Sequence, residues 1–189
     1  YNCWMGMIRG TITVVEAGAK VPDSQDSAGN AWTIAAPDAA NPTPSGYAIP
    51  TDGVAVATLS ADEYGDFQEV SVDLTDRGFS PAILVVQAGL DVQWHIVNQS
   101  SGAASGTQLL IPAYYAQLAL NEGDNPLYFF PDESFDFSTG DNAFYGYVKV
   151  VGSLDEVDVD AIKAEVSAIE TLSYPPDYFQ SPGGGSCCQ

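Results

Sequence analysis

The chain has 189 residues, 46% of them apolar, which is enough for one well-cored domain plus a fragment or for two small domains. Only 16% are charged, yet 25 acidic against 5 basic side chains leave a formal net charge of −20. A field of that sign repels phosphate backbones and anionic lipid, which excludes a nucleic-acid binder and argues against attachment to acidic membrane; it favours cations or a cationic partner.

In chain order, the first segment, residues 1–15, ends in the β-branched run Thr11-Ile12-Thr13-Val14-Val15 and predicts a strand. The chain begins at Tyr1, not Met, inside this strand-like stretch. It therefore reads as truncated or processed, with any targeting or membrane segment lying upstream. No run of 18 apolar residues crosses a bilayer. Residues 17–46 shift to Ala, Pro, Gly, Asn, Asp and Ser, and Pro22, Pro37, Pro42 and Pro44 break regular structure, so this stretch reads as a linker; Trp32 within it is expected to dock on a domain surface.

Strand signals follow at short spacing over residues 54–59, 68–74, 82–87, 92–97, 109–111, 117–120, 127–130 and 144–151. Turn residues separate most of them, including Arg77-Gly78, Ala88-Gly89, Gly123-Asp124-Asn125-Pro126 and Gly140-Asp141-Asn142. Many short strands without intervening helices predict an all-β sandwich over residues 47–152. Val159, Ile162, Val166 and Ile169 then recur at helical spacing, with Asp155, Glu156, Asp158 and Asp160 at the start, where a helix dipole favours anions. This predicts one helix in residues 153–180, stopped by Pro175 and Pro176. Residues 181–189 read as a Gly-rich tail ending in Cys187-Cys188.

Residues 1–15 align with residues 137–151 without a gap. Tyr1 meets Phe137, Gly10 meets Gly146, Ile12 meets Val148, and Val14-Val15 meet Val150-Val151. The simplest reading is a tandem of one domain, with only the closing strand of the first copy present. The copies differ in sulfur: Cys3 faces Thr139, Met5 faces Asp141 and Met7 faces Ala143. Thiolate and thioether are soft ligands that select Cu(I) over hard cations, and an extended backbone puts alternate residues on one side. The alternative is a Met/Cys patch filling a core.

The segment Tyr1-Asn2-Cys3-Trp4-Met5-Gly6-Met7-Ile8-Arg9-Gly10-Thr11-Ile12-Thr13-Val14-Val15 resembles the closing strand-loop-strand of a cupredoxin-like domain. The similarity is to the EfeO-type, heavy-metal-transport-associated kind, including those found with sulfite-exporter-type permeases. The resemblance implies that Cys3 is a thiolate copper ligand and Met5 or Met7 a thioether ligand, with a further ligand upstream of Tyr1. No His stands between Cys3 and the methionines, unlike in blue-copper carriers, so the resemblance implies copper binding or transfer more than electron transfer. Arg77-Gly78-Phe79-Ser80-Pro81, Val85-Val86-Gln87-Ala88-Gly89 and Val92-Gln93-Trp94 are similar to the opening pattern of the same family. Leu109-Leu110-Ile111-Pro112 is similar to the strand before which the family places its upstream ligand; here residues 100–107 contain no Cys or His. The resemblance thus implies a Greek-key cupredoxin-like sandwich that has lost its metal site, preceded by the last strand of an incomplete one that keeps it.

Cys187 and Cys188 are a second candidate soft-metal hook, the alternative being incidental thiols or a vicinal disulfide. His95, the single histidine, lies on the polar face of its strand with Gln93 and Val97 and lacks a nearby thiol, so it is a weak ligand candidate. That also excludes Ser/His/Asp and Cys/His constellations and makes an enzyme the least favoured class. The acidic clusters, Asp62/Glu63/Asp66 among them, match no EF-hand spacing and read as solvated faces. The favoured reading is an extracytoplasmic protein, periplasmic, secreted or membrane-anchored through an upstream segment, that binds copper or another soft metal. Its partners would be that ion and a membrane metal transporter or another envelope protein. The rival is a metal-free structural or interaction module of the cell envelope, and a third reading is electron transfer at a copper centre.

Overall fold

The structure is a computed structural model, and it describes residues 42–101, 108–175, 178 and 179. Cys3, Met5, Met7, Trp32, Cys187 and Cys188 lie outside the described residues.

Two sheets form the sandwich. The first contains β3 (Thr58–Asp62), β4 (Gly65–Thr75), β5 (Gly78–Ser80), β7 (Asp91–Asn98) and β10 (Gly123–Phe129). Its order is β10-β7-β4-β3, with β5 paired to the end of β4. The second sheet contains β2 (Val54–Val56), β6 (Ile83–Gln87), β8 (Gln108–Ile111), β9 (Ala116–Ala119), β11 (Phe135–Thr139) and β12 (Tyr145–Val151), in the order β2-β6-β12-β11-β8-β9. From β5 onward the chain crosses repeatedly between the layers, β6, β7, β8, β10 and β11 each opening in the opposite sheet. That crossing makes β4 and β7 parallel in one sheet and β6 and β12 parallel in the other, while hairpin neighbours such as β11 and β12 are antiparallel. The result is the expected all-β, cupredoxin-like Greek-key sandwich with one helix.

The burial pattern explains the strands. In β7, Val92, Trp94 and Ile96 are buried and Gln93, His95 and Val97 are half-exposed, the alternation of a strand with one face to the core. The layers meet through rings: Trp94 lies 4.8 Å and Phe79 4.9 Å from Phe137, both edge-on, the geometry that aromatic quadrupoles prefer. β6 is different. Ile83, Leu84, Val85 and Val86 are all fully buried, as a central strand covered on both faces requires.

The single helix, α1 (Val159–Ser167), adds Ile162 and Val166 to the core cluster. Asp158 caps it by accepting from the Ala161 N–H at 3.0 Å, and Lys149 of β12 donates to both oxygens of Glu165 at 2.7 Å. After the helix, β13 (Leu172–Ser173) pairs antiparallel with β1 (Thr43–Pro44), and Thr171 donates to the Tyr47 carbonyl at 2.6 Å. The two ends of the described chain are therefore tied together beside β12, where Tyr47 stacks on Tyr145.

Several segments depart from the sequence expectation. Residues 54–59 read as one strand, but Val54–Val56 is β2 of the second sheet while Thr58 and Leu59 open β3 of the first, and Gly78 of the expected Arg77-Gly78 turn opens β5. Gly123-Asp124-Asn125-Pro126 has turn chemistry but belongs to β10, in register with Asn98, Val97, Ile96 and His95. The position of β10 at the sheet edge explains this, because Pro lacks a ladder donor and is tolerated where one side of the strand is unpaired. The Phe-rich segment after Pro131, assigned no strand from sequence, forms β11.

Candidate functional site

The turn joining β11 to β12 occupies the positions that align with the sulfur-bearing segment. Thr139 is fully buried. Its hydroxyl donates to Asp141 Oδ1 at 2.8 Å and accepts the Phe144 N–H at 3.0 Å. The same Asp141 oxygen accepts the Ala143 N–H at 3.2 Å, and the Asn142 N–H donates to the Thr139 carbonyl at 2.8 Å. Asn142 sits at φ 55°, a left-handed conformation that Asn adopts more readily than most residues. Its side-chain amide makes two bonds with the backbone of Tyr174, donating to the carbonyl at 3.0 Å and accepting the N–H at 2.9 Å. The turn is thus closed on itself and clasped to the segment after the helix.

Thr139, Asp141 and Ala143 offer three hard oxygens and a methyl group, and two of those oxygens, Thr139 Oγ1 and Asp141 Oδ1, already serve the turn. That donor set does not fit a soft ion such as Cu(I), which selects thiolate and thioether. Among the described residues, no three His, Cys, Asp or Glu side chains converge on one point. The preceding loop, residues 102–107, lies outside the described residues, as do Cys3, Met5, Met7, Cys187 and Cys188.

His95 does have a partner. Its Nδ1 lies 2.8 and 3.0 Å from the two oxygens of Asp124. The contact pins edge strand β10 to β7 across the outer face of the first sheet. Sequence reasoning missed it because Asp124 carried a turn signal; once Gly123–Phe129 is a strand beside Asp91–Asn98, the two side chains fall on one face.

Asp136 was also missed as anything but a solvated acid. It pairs in register with Tyr147 on β11 and β12. Burial pushes its carboxyl above the usual range, partly offset by a hydrogen bond from its own backbone. Burial, with the charge of Asp136 next in size, pushes the nearby Tyr174 phenol up to about 12. A carboxyl raised in the folded state supports folding while it is protonated, below its unfolded value, and that support is lost as pH rises through the folded value. Asp136→Asn should therefore be more stable than the parent at pH 7, with the difference disappearing in acid, where the parent carboxyl is also neutral. Urea midpoints of the two proteins across that range check it; equal midpoints at pH 7 would contradict the burial argument.

No protein-family model matches the chain, and no curated protein matches it. Solved structures do. The Cu(I)-bound metal binding domain of the Cu(I) exporting P-type ATPase CopA from Streptococcus pneumoniae D39 is 17% identical over 52% of this chain and 96% of that chain, with a TM-score of 0.46. An apo copper binding protein solved by NMR is 18% identical over 52% of this chain and 98% of that chain, with a TM-score of 0.45. A pseudoazurin from Sinorhizobium is 13% identical over 53% of this chain and 97% of that chain, with a TM-score of 0.30. The fold assignment stands on the strand order and register themselves.

Proposed function

We propose that the protein binds and handles copper or another soft metal ion outside the cytoplasm, without catalysing a reaction. Cys3 is the thiolate ligand and Met5 or Met7 the thioether ligand, in a first cupredoxin-like domain of which residues 1–15 are the closing strand. The described sandwich is the structural or partner-binding module, and Cys187-Cys188 is a secondary capture point. The observation that carries the reading is the gapless match of residues 1–15 to 137–151, with sulfur at three positions where the second copy has Thr139, Asp141 and Ala143.

The described copy gives that match a physical meaning. Phe137 and Gly146 are direct cross-strand partners, and the Phe137 ring fills the space that a side chain at position 146 would need. Tyr1 and Gly10 align with these two residues, so the first segment repeats in sequence the aromatic residue and the glycine of that pair. The residues set within that frame are soft donors in one copy and hard or inert groups in the other, which suits Cu(I) in the first copy alone.

Anaerobic titration of the full-length protein with Cu(I) against a chromogenic chelator tests the proposal. One tightly held equivalent is expected, weakened in Cys3→Ser by at least about tenfold, a scale that even outer-shell partners of metal ligands command. It should survive Cys187→Ser/Cys188→Ser. Binding indifferent to Cys3→Ser but lost with the tail cysteines would move the site to the tail. No binding at all would favour the second reading, a metal-free interaction module, which the hard, internally satisfied Thr139/Asp141 turn favours.

A further inference from the structure

The end of the first sheet away from the β11–β12 turn carries an unexplained cluster of exposed rings. Tyr64, Tyr128 and Phe130 are 89%, 67% and 52% exposed. Single exposed rings are ordinary, but these three line one cleft of about 420 Å³, within the size range of ligand sites. Strands β3, β4, β7 and β10 and the β3–β4 hairpin tip build it. The β3–β4 hairpin has a two-residue tip, Glu63-Tyr64, and Asp62 Oδ1 accepts the N–H groups of Tyr64 and Gly65 at 2.8 and 3.2 Å, which fixes the loop that projects the Tyr64 ring. Phe67 of β4 stands in register beside Asp91 of β7, and Gln93 beside Tyr128 of β10.

The charge of the lining is one-sided. Asp62, Asp66 and Asp91 line the cleft with the rings, and no Lys or Arg does. Carboxylates and aromatic faces are both electronegative, so the complement is a cation carried on an apolar stem. A lysine side chain has that form: a compact ammonium on four methylenes that lie against rings while the head meets carboxylates. The formal charge of −20 adds a long-range field that draws a basic partner in. A neutral sugar would stack on the same rings but leave three carboxylates without a counter-charge.

We propose that this cleft is a docking site for a lysine side chain presented by a basic segment of a partner protein. The cleft lies at the N-terminal end of β4, whereas Gly78, beside the C-terminal end of that strand, faces Phe144 of the β11–β12 turn. An eleven-residue strand separates the two by about 30 Å, so docking and any chemistry at the turn are physically independent.

The test is a titration of the ¹⁵N-labelled full chain with tetralysine at low ionic strength, followed by amide shifts. Saturable shifts are expected at residues 62–67, 91–93 and 128–130. Asp91→Asn and Tyr128→Ala should each weaken binding by about threefold to tenfold, the scale of one cation–ring or cation–carboxylate contact. Asp160→Asn, which removes the same charge from the exposed start of α1, should leave it unchanged. Tyr64→Ala, at the solvent-exposed hairpin tip, repeats the ring test at a position with no packing role. Shifts spread over the whole acidic surface, or equal weakening by Asp160→Asn, would overturn the proposal in favour of bulk charge. Indifference to tetralysine with saturable binding of cellotetraose would overturn it in favour of a sugar platform.

Discussion

Gly146→Ala should lower the stability of the sandwich by about 3 kcal/mol, the upper end of what an added methyl costs in a packed interior. A Cβ at position 146 would stand 2.2 Å from Phe137 Cζ and 2.9 Å from the Ala82 carbonyl oxygen. Neither neighbour can yield cheaply. The oxygen is backbone, and it accepts the Tyr147 N–H at 2.8 Å. Phe137 is fully buried between Phe79 and Trp94, so its ring can shift only by pushing other rings of the inter-layer core. Thermal unfolding should show a midpoint roughly 10 °C lower for a domain of this size. Phe137→Leu in the Gly146→Ala background should recover part of the loss, because the clash and the ring are one interaction; the double-mutant cycle measures that coupling. An unchanged midpoint in Gly146→Ala would show that the inter-layer core is not packed as described.

Gln68→Leu should cost about 3–4 kcal/mol even though it places an apolar side chain in a fully buried position. The Gln68 amide acts as a substitute peptide group for the β6–β7 turn. Its Nε2 donates to the Gln87 carbonyl at 2.7 Å and the Leu90 carbonyl at 3.1 Å, and its Oε1 accepts the Gln87 N–H at 2.7 Å. Leucine would remove the partner of one N–H and two carbonyls in a half-buried turn, at about 1 kcal/mol each or somewhat more. The turn itself needs Gly89 at φ 79°, so its path has little freedom to find other partners. Denaturant unfolding measures the loss. Faster hydrogen exchange should appear first at Gln87 and the amides following it, because local opening begins where the bonds are missing. Gln68→Glu keeps an acceptor, loses both donors and buries a charge, so its stability should fall as pH rises through its carboxyl titration. If Gln68→Leu matches the parent, the amide contributes no net stability.

Much of the architecture is visible in local pattern. β6 and β7 are continuous or alternating runs of Val, Ile and Leu with an aromatic residue, and both lie within a residue or so of where those runs fall. The helix needs only its 3–4 spacing and an acidic start; it is shorter than the periodic stretch, beginning at Val159 after the Asp158 cap. β5 and β11 are not marked locally, and β3 only at Thr58 and Leu59. Two of them are stabilised by pairing with β4 alone or at its ends, and β11 by rings packed across the layers, all effects of distant residues. Gly123–Phe129 is the sharpest case, because its Asp-Asn-Pro composition argues for a turn and only an edge position reconciles it with a strand.

The site follows the same division. The amino-acid order alone places sulfur at Cys3, Met5 and Met7 and oxygen at Thr139 and Asp141, because the alignment is gapless and ligand softness belongs to the residue type. It also sets the charge of −20 and hence the sign of the long-range field around the protein. What the tertiary structure decided is where that charge meets apolar surface: Tyr64, Asp91 and Tyr128 come from a hairpin tip and two strands that are separated in the chain. Which strands neighbour one another depends on how the two apolar faces close over each other, and that is a property of the whole core, which no local window contains.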